Sequence, residues 1–600
     1  MDDVFDVVIN NGRVFDGLGS PAMLRHVAIR DGKIAVVSEA PFTEGAGTRV
    51  IDARGHWVMP GFIDAHTHYD AEVLVSPGLG ESVRHGVTTV FLGNCSLSTI
   101  YSDALDCADL FSRVEALPRA QVLHALETRK SWTHPAEYVA HLQSLPLGPN
   151  VAGFLGHSDL RASVMGLGRA SDPDVSPEPE ELAQMRERLE DAIEAGLLGL
   201  SCMKTTFDKL DGDRYRSRPL PSTFAGRREL RMLYSVLRRR ERVLQSAPNV
   251  ERPVSVVGFF AASVALWFRR SLKISLLTAA DTKALPVLAW LVATGTRIFN
   301  RLFGAAIRWQ HLPVPFEIYA DGIDQVVFEE FGAGRAALHL KEQIERNRLF
   351  RNEGYRRRFR RECSQGLTPR VWNRNFYEVD IVACPDETVV GMSVGSVADR
   401  RGIHPADTFL DLVVEHGTLF RWKTVIANHR PDVLNWLSAQ PAVQMGFMDS
   451  GAHLRNLAFY NSPIRFLRRV REAESRGEPF MTTERAVHRL TGELAEWFGV
   501  DAGTLRVGDR ADVVIVDPKA LDASVDQVYE APFTELGGVS RMVNRSGQAV
   551  VRTLIGGRVV FEGGAFAPGY GDAFRTGCFL RAGERVPPAC SARPAGRHAA

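Results

Sequence analysis

The chain has 600 residues, 45% of them apolar and 24% charged, the balance of a folded globular protein rather than a disordered one. Its formal net charge of +1 supplies no global field for nucleic acid, and no nucleic-acid partner is expected. Seven cysteines are scattered at positions 95, 107, 202, 363, 384, 578 and 590 without a CxxC pair, which argues against a zinc ribbon or a disulfide framework and for a reducing, cytoplasmic compartment.

The N-terminus, "MDDVFDVVINNGRVFDG", is acidic and strand-like and lacks the basic start and apolar core of a signal peptide. Residues 4–55 read as short strands punctuated by Asn-Gly and Asp-Gly pairs, which is hairpin chemistry. The same texture returns at 505–518 and 550–564. One small sheet domain assembled from residues 1–56 and 500–570 is therefore expected.

Between the ends, apolar runs alternate with amphipathic stretches such as "EPEELAQMRERLEDAIEAG" (178–196). Strands are predicted at 57–66, 88–94, 150–157, 196–202, 241–245, 273–278, 423–428 and 443–449. Eight such strands separated by helices predict an α/β fold of the (β/α)8 TIM-barrel type, spanning 57–284 and 381–499. Residues 285–380 are too long for one barrel unit and read as an insertion after the sixth strand. It would follow a C-terminal strand end, where extra segments form lids, and it offers Tyr319, Glu329 and Glu330 to a pocket.

The apolar stretches 254–268 and 285–295 fall short of the ~18–20 residues a membrane span needs. Buried elements are the expectation there, although 266–308 mixes bulky apolar groups with Arg and Lys in a manner also compatible with a membrane surface. The basic run "GYRRRFRRE" reads as a solvated helix face. The Pro/Ala/Arg-rich tail 575–600 reads as disordered.

Catalytic groups of such a barrel stand at the C-terminal strand ends. The first strand ends in "GFIDAHTHYD", with His66 and His68 two apart and hence on one side of the strand, so both imidazoles can reach one metal ion. The second ends in "GNCS", placing Cys95, a soft donor, at its tip. The eighth ends in "GFMDSGAH", placing Asp449 where a carboxylate can touch a metal and take a proton from water.

In these motifs the chain resembles the amidohydrolase superfamily, over residues 4–70 and 443–565. "FLGNCS", "GFMDSGAHL", "DLFSRVEALP", "GHSDLRASVMG" and "GLLGLSC" narrow the resemblance to the N-acyl-D-amino-acid deacylase (D-aminoacylase) branch. The resemblance implies a TIM barrel with a small β-sandwich. It also implies attack by zinc-activated water on the amide of a small N-acylated substrate, with Asp449 moving the proton and His66, His68, Cys95 and Asp449 around the metal.

One departure is independent of alignment. The branch brings a histidine from each of the fifth and sixth strands, yet no histidine occurs between His157 and His311. Gln245 and the Ser275–Leu277 stretch stand in the expected places, and an amide is a poor zinc ligand beside imidazole. One zinc ion is therefore expected. Lys204 is a candidate carbamylated ligand, His157 and His429 are candidate pocket residues, and His453 is expected to orient its loop. A cyclic-amide hydrolase and a catalytically impaired barrel with a binding role remain alternatives.

Overall fold

A computed structural model describes residues 4–43, 45, 47–249, 254–265, 270–365 and 370–583. Strands from both chain ends pair in one nine-stranded sheet. In it Trp57–Pro60 lies between Val7–Val14, which it joins in parallel, and Val513–Val516, which it joins antiparallel. Val550–Ile555 and Arg558–Glu562 extend the sheet on one side, and Met23–Arg30 and Lys33–Ser38 on the other. The β-branched residues Val27, Ile29, Val58, Val513 and Ile515 form a separate apolar core beneath it, as half-buried strands require.

The middle of the chain forms parallel strands, numbered here in chain order. They are β1 (Phe62–Asp64, continued at His66–Thr67), β2 (Val87–Leu92), β3 (Asn150–Gly153, continued at Leu155–Gly156) and β4 (Gly199–Met203). Then follow β5 (Val243–Ala247), β6 (Lys273–Leu276), β7 (Ala306–Gln310) and β8 (Val443–Gln444, continued at Phe447–Ser450). Each pairs with the next in parallel, and β8 returns to β1 through Phe447 opposite His66. The pairings thus close into a ring.

Helices fill the crossovers. The helix Pro179–Glu194 starts with proline in its first turn and buries Leu182, Met185, Leu189 and Ile193, the spacing of one helical stripe. Inside the ring, Ile63, Phe91, Phe154, Leu198 and Val243 pack with Trp497 and Phe498.

Several expectations require correction. The run at 57–66 divides, its first four residues joining the end sheet and the rest forming β1. The seventh ring strand is not 423–428. Arg421–Ala427 lies instead in a separate three-stranded antiparallel sheet with Phe316–Asp321 and Asp380–Ala383. Alternating burial cannot by itself distinguish a ring strand from an antiparallel one. β7 was hidden because Arg308 interrupts its apolar run, with its guanidinium over the Trp497 ring at 4.3 Å. Residues 288–310 are consequently a ring helix and ring strand, Leu288–Phe303 and β7. The inserted segment follows the seventh strand, not the sixth, and runs from 316 to 427. The tail is ordered further than expected: Cys578, Phe579 and Leu580 are buried, and Phe579 bridges to Val151 of β3. Residues beyond 583 lie outside the described residues.

Candidate metal centre

The C-terminal ends of β1, β2 and β8 converge. His66 and His68 leave β1 with ring centroids 5.2 Å apart, and the His66 ring meets Phe447 edge-on at 4.7 Å. The sulfur of Cys95 lies 3.2 Å from His66 Nε2. Asp449 Oδ1 stands 3.3 Å from His68 Nε2 and 3.7 Å from His66 Nε2. Two donor sets are compact enough to hold a metal ion: His66, His68 and Cys95, and His68, Glu115 and Asp449. Cys95, Ser96, Asp449 and His453 all have positive φ, at 52°, 71°, 55° and 48°. Such strained backbone in non-glycine residues concentrates at functional sites.

The surroundings hold the donors in place. His66 Nδ1 lies 2.7 Å from Gln310 Oε1. An amide oxygen only accepts, so Nδ1 carries the proton and the Nε2 lone pair faces Cys95. Gln245 Oε1 accepts from the Cys95 backbone N–H at 3.1 Å, which leaves this amide bracing the β2 loop. Asp64, beneath His66, accepts from the His66 N–H and from Ser450 Oγ at 2.7 Å, tying β1 to β8. Asp70 accepts from the Gly93 N–H and fixes the turn before Cys95.

Electrostatics separates the two histidines. Burial and then the neighbouring His68 push His66 down to about 3, so it stays neutral and able to donate its lone pair. Burial also opposes charge on His68, but Glu115, whose Oε1 is 3.4 Å from Nδ1, and then Asp449 carry it up to about 9. Burial raises Glu115 to about 8. Burial would raise Asp449 too, but its contacts with His68, His453 and His66 outweigh that and hold it well below the usual carboxylate range. Burial pushes the Cys95 thiol well up, so its thiolate needs a cation beside it.

The donor chemistry fits a divalent ion: a neutral imidazole, a second imidazole between two carboxylates, and a soft sulfur on one wall. On the side of β5 and β6 no such set is found among the described residues. Ser275 Oγ sits between Gln444 Oε1 at 3.1 Å and Trp497 Nε1 at 2.9 Å. No β5 or β6 residue joins either donor set among the described residues.

The remaining expected pocket residues lie elsewhere. Lys204 Nζ donates to the carbonyls of Ser222, Thr223 and Ala225 at 2.9–3.1 Å. That cradle of carbonyl acceptors suits an ammonium and repels a carbamate, so Lys204 stands here as an amine and not as the expected carbamylated ligand. His157 is bound to Glu229 at 2.6 Å and to Cys202 at 3.3 Å in a buried charge network. His429 does not end a ring strand; its Nδ1 is 3.6 Å from Asp281. His453 lies 4.0 Å from both Asp449 and Glu115. Glu115 and Gln310 were missed. Glu115 lies within the quoted "DLFSRVEALP" but in a long crossover with no strand-end position to mark it, and Gln310 ends the strand that was misplaced.

Comparison with known proteins accords with this geometry. Residues 49–223 match the model of the amidohydrolase family. An uncharacterized protein of Mycobacterium tuberculosis is 56% identical over 587 residues, 97% of this chain and 96% of that one. An N-acyl-D-glutamate deacylase of Alcaligenes xylosoxydans xylosoxydans is 34% identical over 203 residues, 34% of this chain and 38% of that one. The chain belongs to the amidohydrolase superfamily, in its D-aminoacylase branch. This amidohydrolase is accordingly a hydrolase of carbon–nitrogen bonds other than peptide bonds. Its fold is shared by a solved N-acyl-D-glutamate deacylase from Bordetella bronchiseptica, complexed with zinc and a phosphonate inhibitor. The two superpose with a TM-score of 0.62 at 22% identity, over 97% of this chain and 100% of that one.

The His66–Gln310 bond gives a measurable expectation. Gln310→Leu removes the acceptor that fixes the His66 tautomer, and losing the hydrogen bond behind a metal-binding histidine typically weakens metal binding by about 10–100-fold. Titration against a chelator checks this; unchanged affinity would show that Gln310 only fills space.

Proposed function

We propose that this amidohydrolase cleaves the amide bond of small N-acylated amino acids, N-acyl-D-amino acids first among them, with one zinc ion. The observation that carries the reading is the convergence of His66, His68, Cys95 and Asp449 at three neighbouring strand ends. The closed ring of parallel strands is read as a (β/α)8 barrel, and the sheet of both chain ends as its small β-sandwich.

Zinc, when bound, would polarise the substrate carbonyl and acidify the attacking water. Neutral His66, with its proton held on Nδ1 by Gln310, and His68 would hold the ion beside Cys95. Asp449, an ordinary carboxylate and so ionised near neutral pH, takes a proton from the attacking water and returns it to the leaving nitrogen. Glu115 positions His68 from behind, and His453 lines the Asp449 loop. The inserted segment covers the mouth in this reading. Glu329 meets Arg113 of the β2 crossover at 3.1 Å, and Lys341 pairs with Asp213 of the connection after β4, both on the side of the C-terminal strand ends.

Elemental analysis followed by a hydrolysis screen of N-acyl-D- and N-acyl-L-amino acids tests the reading. One metal per chain with preference for D-substrates is expected. Two metals per chain would refute the single-ion site. A metal-replete protein inert on every amide in the screen would refute the substrate class. A binding role is the second reading, favoured by Gln245 and Ser275 standing where further donors are expected; absence of metal under replete conditions would support it.

A further inference from the structure

The helix Leu288–Phe303 is amphipathic in the wrong direction for a protein surrounded by water. Its inward face is small: Ala289, Ala293 and Thr296 are buried. Its outward face is large and apolar, with Val287, Leu288, Trp290, Leu291, Ile298 and Leu302 exposed between 41% and 69%. Surface helices normally turn their apolar stripe inward, and single exposed apolar residues need no explanation, but a contiguous face of them marks a binding surface.

The face continues beyond one helix. Phe299 packs edge-on against Phe260 of the helix Val254–Ser263 at 4.8 Å, on which Val257 is also exposed. A cavity of about 880 Å³ lies between that helix and Arg227–Arg239, lined by Leu230, Tyr234 and Phe259 with Arg227 and Arg231.

Charge identifies the occupant. The helix Leu288–Phe303 carries two cations, Arg297 and Arg301, and no acid; the other cations near it in sequence, Arg270, Lys283 and Arg308, are paired with Glu241, Glu378 and Glu493. Arg297 and Arg301 flank the apolar stripe on its exposed side. A second copy of this chain docking by a two-fold axis would set these arginines against themselves. A surface that accepts Leu, Ile and Trp below and arginines around the rim is the headgroup boundary of an anionic bilayer.

We infer that the amidohydrolase docks peripherally on anionic lipid membranes through the outward face of Leu288–Phe303 and the adjoining Val254–Ser263 helix. Insertion is shallow. No helix of the described residues is long and apolar enough to cross a membrane.

The full chain should co-sediment with vesicles of phosphatidylcholine and phosphatidylglycerol in equal parts, release at high salt, and leave pure phosphatidylcholine vesicles largely unbound. Arg297→Gln with Arg301→Gln should weaken binding by roughly 30-fold, from about 1 kcal/mol for each cation near an anionic surface. Leu291→Glu with Leu302→Glu should abolish binding while leaving thermal midpoint and hydrolysis of soluble substrate unchanged, because neither side chain is packed. Failure to bind either vesicle, equal binding to both, or binding untouched by the glutamates would overturn the inference. So would a solution dimer that the glutamate variant splits, which would make a second copy the occupant.

Discussion

Asp449→Asn is expected to lower kcat by roughly 10²–10⁴-fold, the usual contribution of a positioned general base, while the protein retains its metal. Asparagine keeps an oxygen where Asp449 Oδ1 faces His68 and His66, but it has no basicity near neutral pH. It is also the conservative choice for the backbone. Asp449 has a φ of 55°, a conformation asparagine tolerates and alanine resists, so Asp449→Ala would confuse lost chemistry with a displaced loop. The contrasting variant is His66→Ala with His68→Ala, which removes both imidazoles from the donor sets and should lose metal and activity together. Elemental analysis alongside kinetics separates the two. Full turnover in Asp449→Asn would place the base elsewhere, with Glu115 the next carboxylate in reach of His68.

The largest stability effect is expected at a site that performs no chemistry. Glu229 is buried between His157 Nε2, at 2.6 Å, and the Arg161 guanidinium, with the side chains of all three at most 1% exposed. Burial would raise the Glu229 carboxyl, but the bond and charge of His157, with Arg161, outweigh it and bring it down to about 2. Glu229→Ala leaves Arg161 buried without a counter-charge, a loss of about 3–5 kcal/mol for a broken buried pair. Linkage sets a similar scale, since a depression from 4.5 to about 2 corresponds to about 3 kcal/mol. A depressed carboxylate stabilises above its unfolded pKa, so this contribution is complete above about pH 4.5 and is lost as pH falls towards 2. Denaturation midpoints for wild type and Glu229→Ala should therefore converge on acidification. A large gap that persists at the lowest accessible pH would show that packing, not charge, makes up the difference.

The site was legible wherever chemistry and strand ends coincide in sequence. His66 and His68 declare themselves by their i, i+2 spacing, and Cys95 and Asp449 by following apolar runs directly. Glu115 reaches His68 from the crossover after β2, and nothing local distinguishes it from a solvent-facing glutamate. Gln310 was lost with β7, because Arg308 breaks the apolar pattern and finds its partners in Trp497 and Glu493, which only the folded chain brings near. The helix Leu288–Phe303 was misread for a related reason. Its apolar residues suggested a buried element, whereas burial falls on Ala289, Ala293 and Thr296, and hydrophobic period reports a stripe but not the direction it faces.

The sheet shared by the two chain ends bears on how this protein is made. Val58 pairs with Ile515, so Trp57–Pro60 waits for a partner strand encoded roughly 450 residues later. At about 5–20 residues per second of synthesis, that edge emerges from the ribosome tens of seconds before it can be covered. Throughout that interval Trp57–Pro60, all four residues of it buried in the finished sheet, stands as an open strand edge, the template on which chains associate wrongly. Yield from expression should therefore respond to chaperone supply and to translation rate more than to the native stability of the finished fold. Truncation anywhere before Val513 should give aggregate rather than a smaller folded unit.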